Sequence, residues 1–118
     1  MLNRRNLAEI RTIDLTTFGR RSGFPRTVEI WWFHVDGRFI ITGTPGRRDW
    51  LANVRNRQDV VIGVSGTDIE ARVREVDDRE FRRRVFTHRE TSWYSSQAEL
   101  DRLVETAPMI EVLLDLPD

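Results

Sequence analysis

Thr12-Ile13-Asp14-Leu15-Thr16-Thr17-Phe18-Gly19-Arg20-Arg21-Ser22-Gly23-Phe24-Pro25-Arg26 runs into Thr27-Val28-Glu29-Ile30-Trp31-Trp32-Phe33-His34-Val35, and this stretch decides the fold. Its first seven residues alternate and are rich in β-branched side chains, the pattern of a half-buried strand. Gly19 and Gly23 bracket a polar turn, where glycine tolerates positive φ and close approach of another backbone. Residues 26–35 read as a longer returning strand. Asp36-Gly37 is a strong hairpin turn, and residues 38–44 come back as a third strand.

Working outward, Pro45-Gly46 ends that strand, and residues 47–57 read as a short helix with Trp50, Leu51 and Val54 at helical spacing. Val60-Val61-Ile62-Gly63-Val64 reads as a central apolar strand. Residues 69–76 alternate as another. Asp77-Asp78-Arg79-Glu80 opens a helix, with its acids at the favourable end of the dipole. Residues 91–96 read as a polar, aromatic connection, residues 97–106 as a helix and residues 109–116 as the last strand. The order β-β-β-α-β-β-α-α-β predicts an α+β fold: a barrel-like, mostly antiparallel sheet with a few short helices. A length of 118 residues suits one domain over 1–118 with one core.

Composition narrows the chemistry. The chain has no cysteine, so no disulfide, thiolate nucleophile or cysteine-bound metal is expected. All 19 basic residues are arginine, which excludes a catalytic lysine. Formal net charge is zero, yet residues 20–57 hold eight arginines against three acids, so this half carries the positive field. The first residues lack the apolar core of a signal peptide and no apolar stretch reaches membrane-spanning length, which predicts a cytoplasmic protein. No nucleic-acid partner is expected, because basic and aromatic residues do not interleave on a recognisable platform.

The catalytic inventory is thin. His34 and His88 have no metal-ligand partners at recognisable spacing, and no nucleophile elbow, P-loop or dinucleotide fingerprint is present. No catalytic side chain and no metal are therefore assigned, and any reactive group is expected to be a cofactor's. Arg20, Arg21, Ser22, Gly23 and Arg26 form either a solvated turn or an anion site, since arginine forks and a nest of backbone N–H groups match phosphate. Thr42, Gly43 and Thr44 end a strand that feeds a helix, and Trp50 and Asn53 share one side of that helix. Glu29, Trp31, Trp93 and Tyr94 are candidates for the substrate side. Alternation leaves residues 26–35 bulky on both faces, which suggests a strand wedged between a barrel core and a subunit interface, and hence a homodimer.

Together these segments resemble the deazaflavin-dependent nitroreductase and quinone reductase family of split β-barrel flavin/deazaflavin oxidoreductases. The resemblance rests on Thr16-Thr17-Phe18-Gly19-Arg20-Arg21-Ser22-Gly23-Phe24-Pro25-Arg26, the Asp36-Gly37 turn, the Trp50-Leu51-Ala52-Asn53 helix and the apolar strand at Val60, and covers about residues 12–76. It implies a split barrel, usually dimeric, that binds coenzyme F420 and passes hydride to a quinone, nitro compound or similar small acceptor. It assigns Arg20, Arg21, Ser22 and Arg26 to the phosphate-bearing tail, Thr42, Gly43 and Thr44 to the ring, and Trp50 and Asn53 to the helix below it. Pro45 stands where that family often has a lysine. The alternatives left open are FMN as cofactor, and a non-catalytic split-barrel binder of FMN, haem, a tetrapyrrole or a lipid.

Overall fold

The sheet curls because one residue joins its two edge strands. In the computed structural model, which describes residues 2–118, seven antiparallel strands run in the order β2-β1-β5-β6-β7-β4-β3. They are β1 (Thr12–Phe18), β2 (Pro25–Trp31), β3 (Phe33–Val35), β4 (Arg38–Thr42), β5 (Asp59–Val64), β6 (Thr67–Glu75) and β7 (Met109–Leu113). β2 and β3 lie at opposite edges but are consecutive in the chain, with only Trp32 between them. The sheet must therefore curl until its edges meet, as a split barrel does.

The predicted strand over residues 26–35 is thus two strands. Trp32 is the hinge: its backbone N–H donates to Arg11 O at 2.9 Å and its indole Nε1–H to Ile10 O at 2.6 Å. Alternation carries through this break: Ile30 and Trp32 face the inner cluster, while Trp31 and Phe33 both turn to the outer side, where Trp93 and Tyr94 lie between them. Two hairpins follow the turn chemistry. Asp36 and Gly37, and likewise Ser65 and Gly66, all have positive φ, as a two-residue hairpin loop requires.

Two apolar clusters explain why strands β4 and β7 are buried on both faces. Inside the curl, Leu15, Trp32, Phe39, Ile41, Ile62, Ile110 and Val112 pack with Trp50, Leu51 and Val54 of helix α2 (Asp49–Asn56). On the outer face, Phe33, Val35, Ile40 and Met109 pack under α3 (Arg79–Thr87), α4 (Ser92–Ser95) and α5 (Leu100–Thr106). A bulky second face on residues 26–35 was read as a subunit interface. The chain's own helices cover only its β3 end, Phe33 and Val35, while Trp32 fills the inner core and β2 stays largely exposed. Val28 and Trp31 are the exposed large hydrophobics of β2.

The helical layer is held by one buried cation. Arg82 donates to the carbonyls of Val104 (2.6 Å), Val76 (2.9 Å), Leu103 (3.5 Å) and Ala107 (2.5 Å). It thereby ties α3 to the carbonyl end of α5, where a positive charge is favourable. A short helix α1 (Arg4–Leu7), absent from the sequence expectation, lays Leu7 into the inner core. The connection at 91–96 is also more ordered than expected, as a 3₁₀ turn (Arg89–Thr91) followed by α4. No helix among the described residues is long and apolar enough to cross a membrane.

Candidate functional site

The β1–β2 turn folds back on itself. Gly19 N–H donates to Phe24 O and Gly23 N–H to Gly19 O, each at 2.9 Å. Ser22 Oγ accepts from Phe24 N–H at 3.1 Å. A Cβ on Gly19 would lie 2.9 Å from that hydroxyl, and Gly23 has φ +74°, so both glycines serve the turn. Ser22 is thus partly committed to the loop and keeps its hydroxyl proton and one lone pair for a ligand.

This turn faces the start of α2 across a cleft of about 650 Å³, lined by Thr17, Arg20, Arg21, Ser22, Arg26 and Asn53 among others. Asn53 is 2% exposed and organises one wall. Its Nδ2 donates to Thr17 Oγ1 at 3.0 Å, and its Oδ1 accepts from Arg20 Nη1 at 2.8 Å. Arg20 Nη2 lies 3.8 Å from Asp49 Oδ1. Arg21 and Arg26, by contrast, have no hydrogen-bond or ion-pair partner among the described residues. The cleft therefore holds one positioned guanidinium and two unpaired ones, an arrangement suited to phosphate oxygens.

A second depression, of about 310 Å³, is lined by the next residues of β2 and by the residue that precedes α2. Val28 and Asp49 line the first; their chain neighbours Glu29 and Arg48 line the second. Trp31, Thr42, Gly43, Thr44, Trp93 and Tyr94 complete its lining. Trp31 and Trp93 meet edge to face at 6.2 Å, and Trp93 meets Tyr94 at 5.2 Å. Burial pushes the Tyr94 phenol above its usual range, while Arg11 and Arg48 pull more weakly the other way.

Arg48 decides the shape of the Thr42–Thr44 wall. Its Nη2 donates to Thr44 O at 2.9 Å and Thr44 Oγ1 at 3.3 Å, and its Nη1 to Arg47 O at 3.2 Å. A Cβ on Gly43 would sit 3.0 Å from Arg48 Nη2, and one on Gly46 would sit 3.1 Å from Nη1. The small residues expected to admit a ring thus first admit this guanidinium. Thr42 is 3% exposed and donates its hydroxyl to Pro108 O at 2.6 Å, so that hydroxyl is not offered to the depression.

The two depressions gather all the residues selected from the sequence except Gly23, which shapes the turn. Glu29, expected to pair with an arginine or face a pocket, is exposed, forms no ion pair among the described residues and faces the second depression. Arg48, Thr17 and Asp49 were missed. Nothing local distinguishes Arg48 from Arg47, and Thr17 reaches Asn53 only because β1 packs against α2. His34 lies against Phe39 and His88 caps the 3₁₀ turn, both away from the depressions.

Known structures show the same fold. An F420-H2-dependent reductase, FDR-A, is 18% identical, with 87% of this chain and 94% of that one covered at a TM-score of 0.64. A conserved hypothetical protein from Mycobacterium tuberculosis is 16% identical, with 95% and 78% covered at 0.69. A pyridoxamine 5'-phosphate oxidase so described from Listeria innocua is 13% identical, with 92% and 87% covered at 0.67. No curated protein matches the sequence significantly. The family model for F420H(2)-dependent quinone reductase matches residues 4–114. That match spans nearly the whole chain and decides for coenzyme F420 over FMN, and for an enzyme over a passive binder. The chain belongs to the F420H(2)-dependent quinone reductase family.

Proposed function

We propose that the Arg20, Arg21 and Arg26 cleft holds the phosphate-bearing tail of coenzyme F420, and that the adjoining depression receives its ring and the quinone-type acceptor. The observation that carries this is the pair of unpaired guanidiniums, Arg21 and Arg26, on a cleft whose lining adjoins in sequence that of an aromatic-walled depression. An anionic tail fits that donor set, because each guanidinium has its full fork free. The reduced coenzyme, when bound, supplies hydride for transfer to the acceptor.

The protein's part is to bind, orient and exclude water. Asn53 sets the direction of Arg20, and Ser22 Oγ–H and the turn's backbone add donors. Trp50, 7% exposed, gives the cleft an apolar floor beside α2. Trp31, Trp93 and Tyr94 provide the flat apolar surfaces that planar acceptors need. Titration of the protein with oxidised coenzyme F420 and with FMN tests the reading. The wild type is expected to prefer the deazaflavin, and Arg21→Ala/Arg26→Ala to lose at least tenfold in affinity while remaining folded. Unchanged affinity in that variant refutes the tail assignment.

A homodimer is the second part of the proposal. β2 is an edge strand exposed along nearly its whole length, with Phe24 at its head 66% exposed. Such edges are commonly covered by pairing. One matching structure, 18% identical with 87% of this chain and 80% of that one covered at a TM-score of 0.63, is described as a domain-swapped dimer. Sedimentation equilibrium at micromolar concentration decides it, a monomer being the refuting result.

A further inference from the structure

We infer that the second depression selects a planar aromatic acceptor bearing an anionic substituent, with Arg48 as the anion contact and the Trp31–Trp93 pair as the apolar wall. The inference rests on the reading of that depression as the acceptor side and adds the substrate's charge. Arg48 is half-buried, yet all its hydrogen bonds go to uncharged oxygens, those of Thr44 and Arg47. No carboxylate pairs with it among the described residues. A half-buried cation without a counter-charge is a costly arrangement that an anion relieves.

The guanidinium is also held in place. Gly43 and Gly46 leave room for it against the backbone, and Thr44 fixes one amino group with two acceptors. Its Nε–H and one Nη1–H remain for a ligand, since the donor has five N–H groups in a fixed fork. Arg11 adds a second cation at the same end. Its guanidinium lies 4.8 Å from the Phe33 ring, which in turn meets Tyr94 at 5.8 Å. Arg48 and Glu29 are the two charged residues of the lining itself, and no ion pair joins them. The opposite wall is two tryptophans, each about half exposed, with nothing packed between them and solvent. Without cofactor, a volume of about 310 Å³ leaves room for a small aromatic probe.

The test uses the full-length chain without cofactor, so its result does not depend on the tail cleft. Binding of 2-naphthoate and of its neutral isostere 2-naphthamide is measured by calorimetry, with the four indole N–H signals followed by NMR. The expected result is naphthoate at least tenfold tighter than naphthamide, with the Trp31 and Trp93 signals moving and Trp32 still. Arg48→Gln should abolish the preference, and Glu29→Gln should strengthen it twofold or more. Equal affinity for the two probes, or shifts confined to Trp50 in the arginine cleft, overturns the inference. If Arg48→Gln disturbs the 43–48 loop, shown by a moved Trp32 signal, Glu29→Gln alone decides, and no tightening there overturns it. Failure of the Arg21→Ala/Arg26→Ala cofactor test with an intact naphthoate preference would refute the tail assignment and leave this inference standing.

Discussion

Asn53→Ala separates positioning from direct binding. The amide is 2% exposed and bridges Thr17 Oγ1 and Arg20 Nη1. Losing the neutral bond to Thr17 costs about 1 kcal/mol, and losing the charge-assisted bond to Arg20 about 1.5 kcal/mol at the low end of its range. The low end applies because the Arg20 side chain is 41% exposed and solvent screens it. A total of roughly 2.5 kcal/mol corresponds to a fall in Tm of about 10 °C for a chain of this length. The effect on cofactor affinity is indirect. Freed from Asn53, Arg20 must be ordered on binding, which costs about 1 kcal/mol, or roughly fivefold in Kd. A double-mutant cycle with Arg20→Ala, read by fluorescence titration with oxidised coenzyme F420, isolates this term. If Asn53 acts through Arg20, Asn53→Ala has no effect on Kd in the Arg20→Ala background. An equal loss in both backgrounds refutes the positioning argument.

Three further outcomes follow from the same geometry. Gly43→Val places its Cβ against the guanidinium of Arg48, so it should displace that group, lower Tm by only a few degrees and erase discrimination between 2-naphthoate and 2-naphthamide. Arg82→Met leaves buried carbonyls of Val76, Val104 and Ala107 without their donor and should cost about 3 kcal/mol, measured by urea denaturation, with m unchanged. Tyr94 is the only tyrosine, so absorbance at 295 nm reports one group; its midpoint should lie above the usual value of about 10. Because burial favours the neutral phenol in the folded state, the unfolded chain ionises first. Stability should therefore fall as pH rises past the free-tyrosine range, and a midpoint at or below that range would contradict the burial argument.

Much of this protein is written locally. The alternation of Thr12 to Phe18, the Asp36-Gly37 turn, and the helical spacing of Trp50, Leu51 and Val54 each needed only near neighbours, and each element formed where expected. The arginine-rich turn was also legible, because its glycines and Ser22 bond within five residues of one another. The tertiary structure decided the rest. Trp32 breaks a continuous β pattern because Arg11 and Ile10, some twenty residues away, offer it acceptors and the sheet needs its two edges joined. Phe33 and Val35 of that stretch found their cover in α3–α5 of the same chain, a pairing that no strand-level alternation encodes. Of two adjacent arginines, Arg48 entered the site and Arg47 did not, because only the packing of Gly43 and Gly46 made room for one guanidinium. Local conformation follows from short-range sterics and hydrogen bonding. Which charge is paired and which is left for a ligand depends on groups brought together by the whole fold.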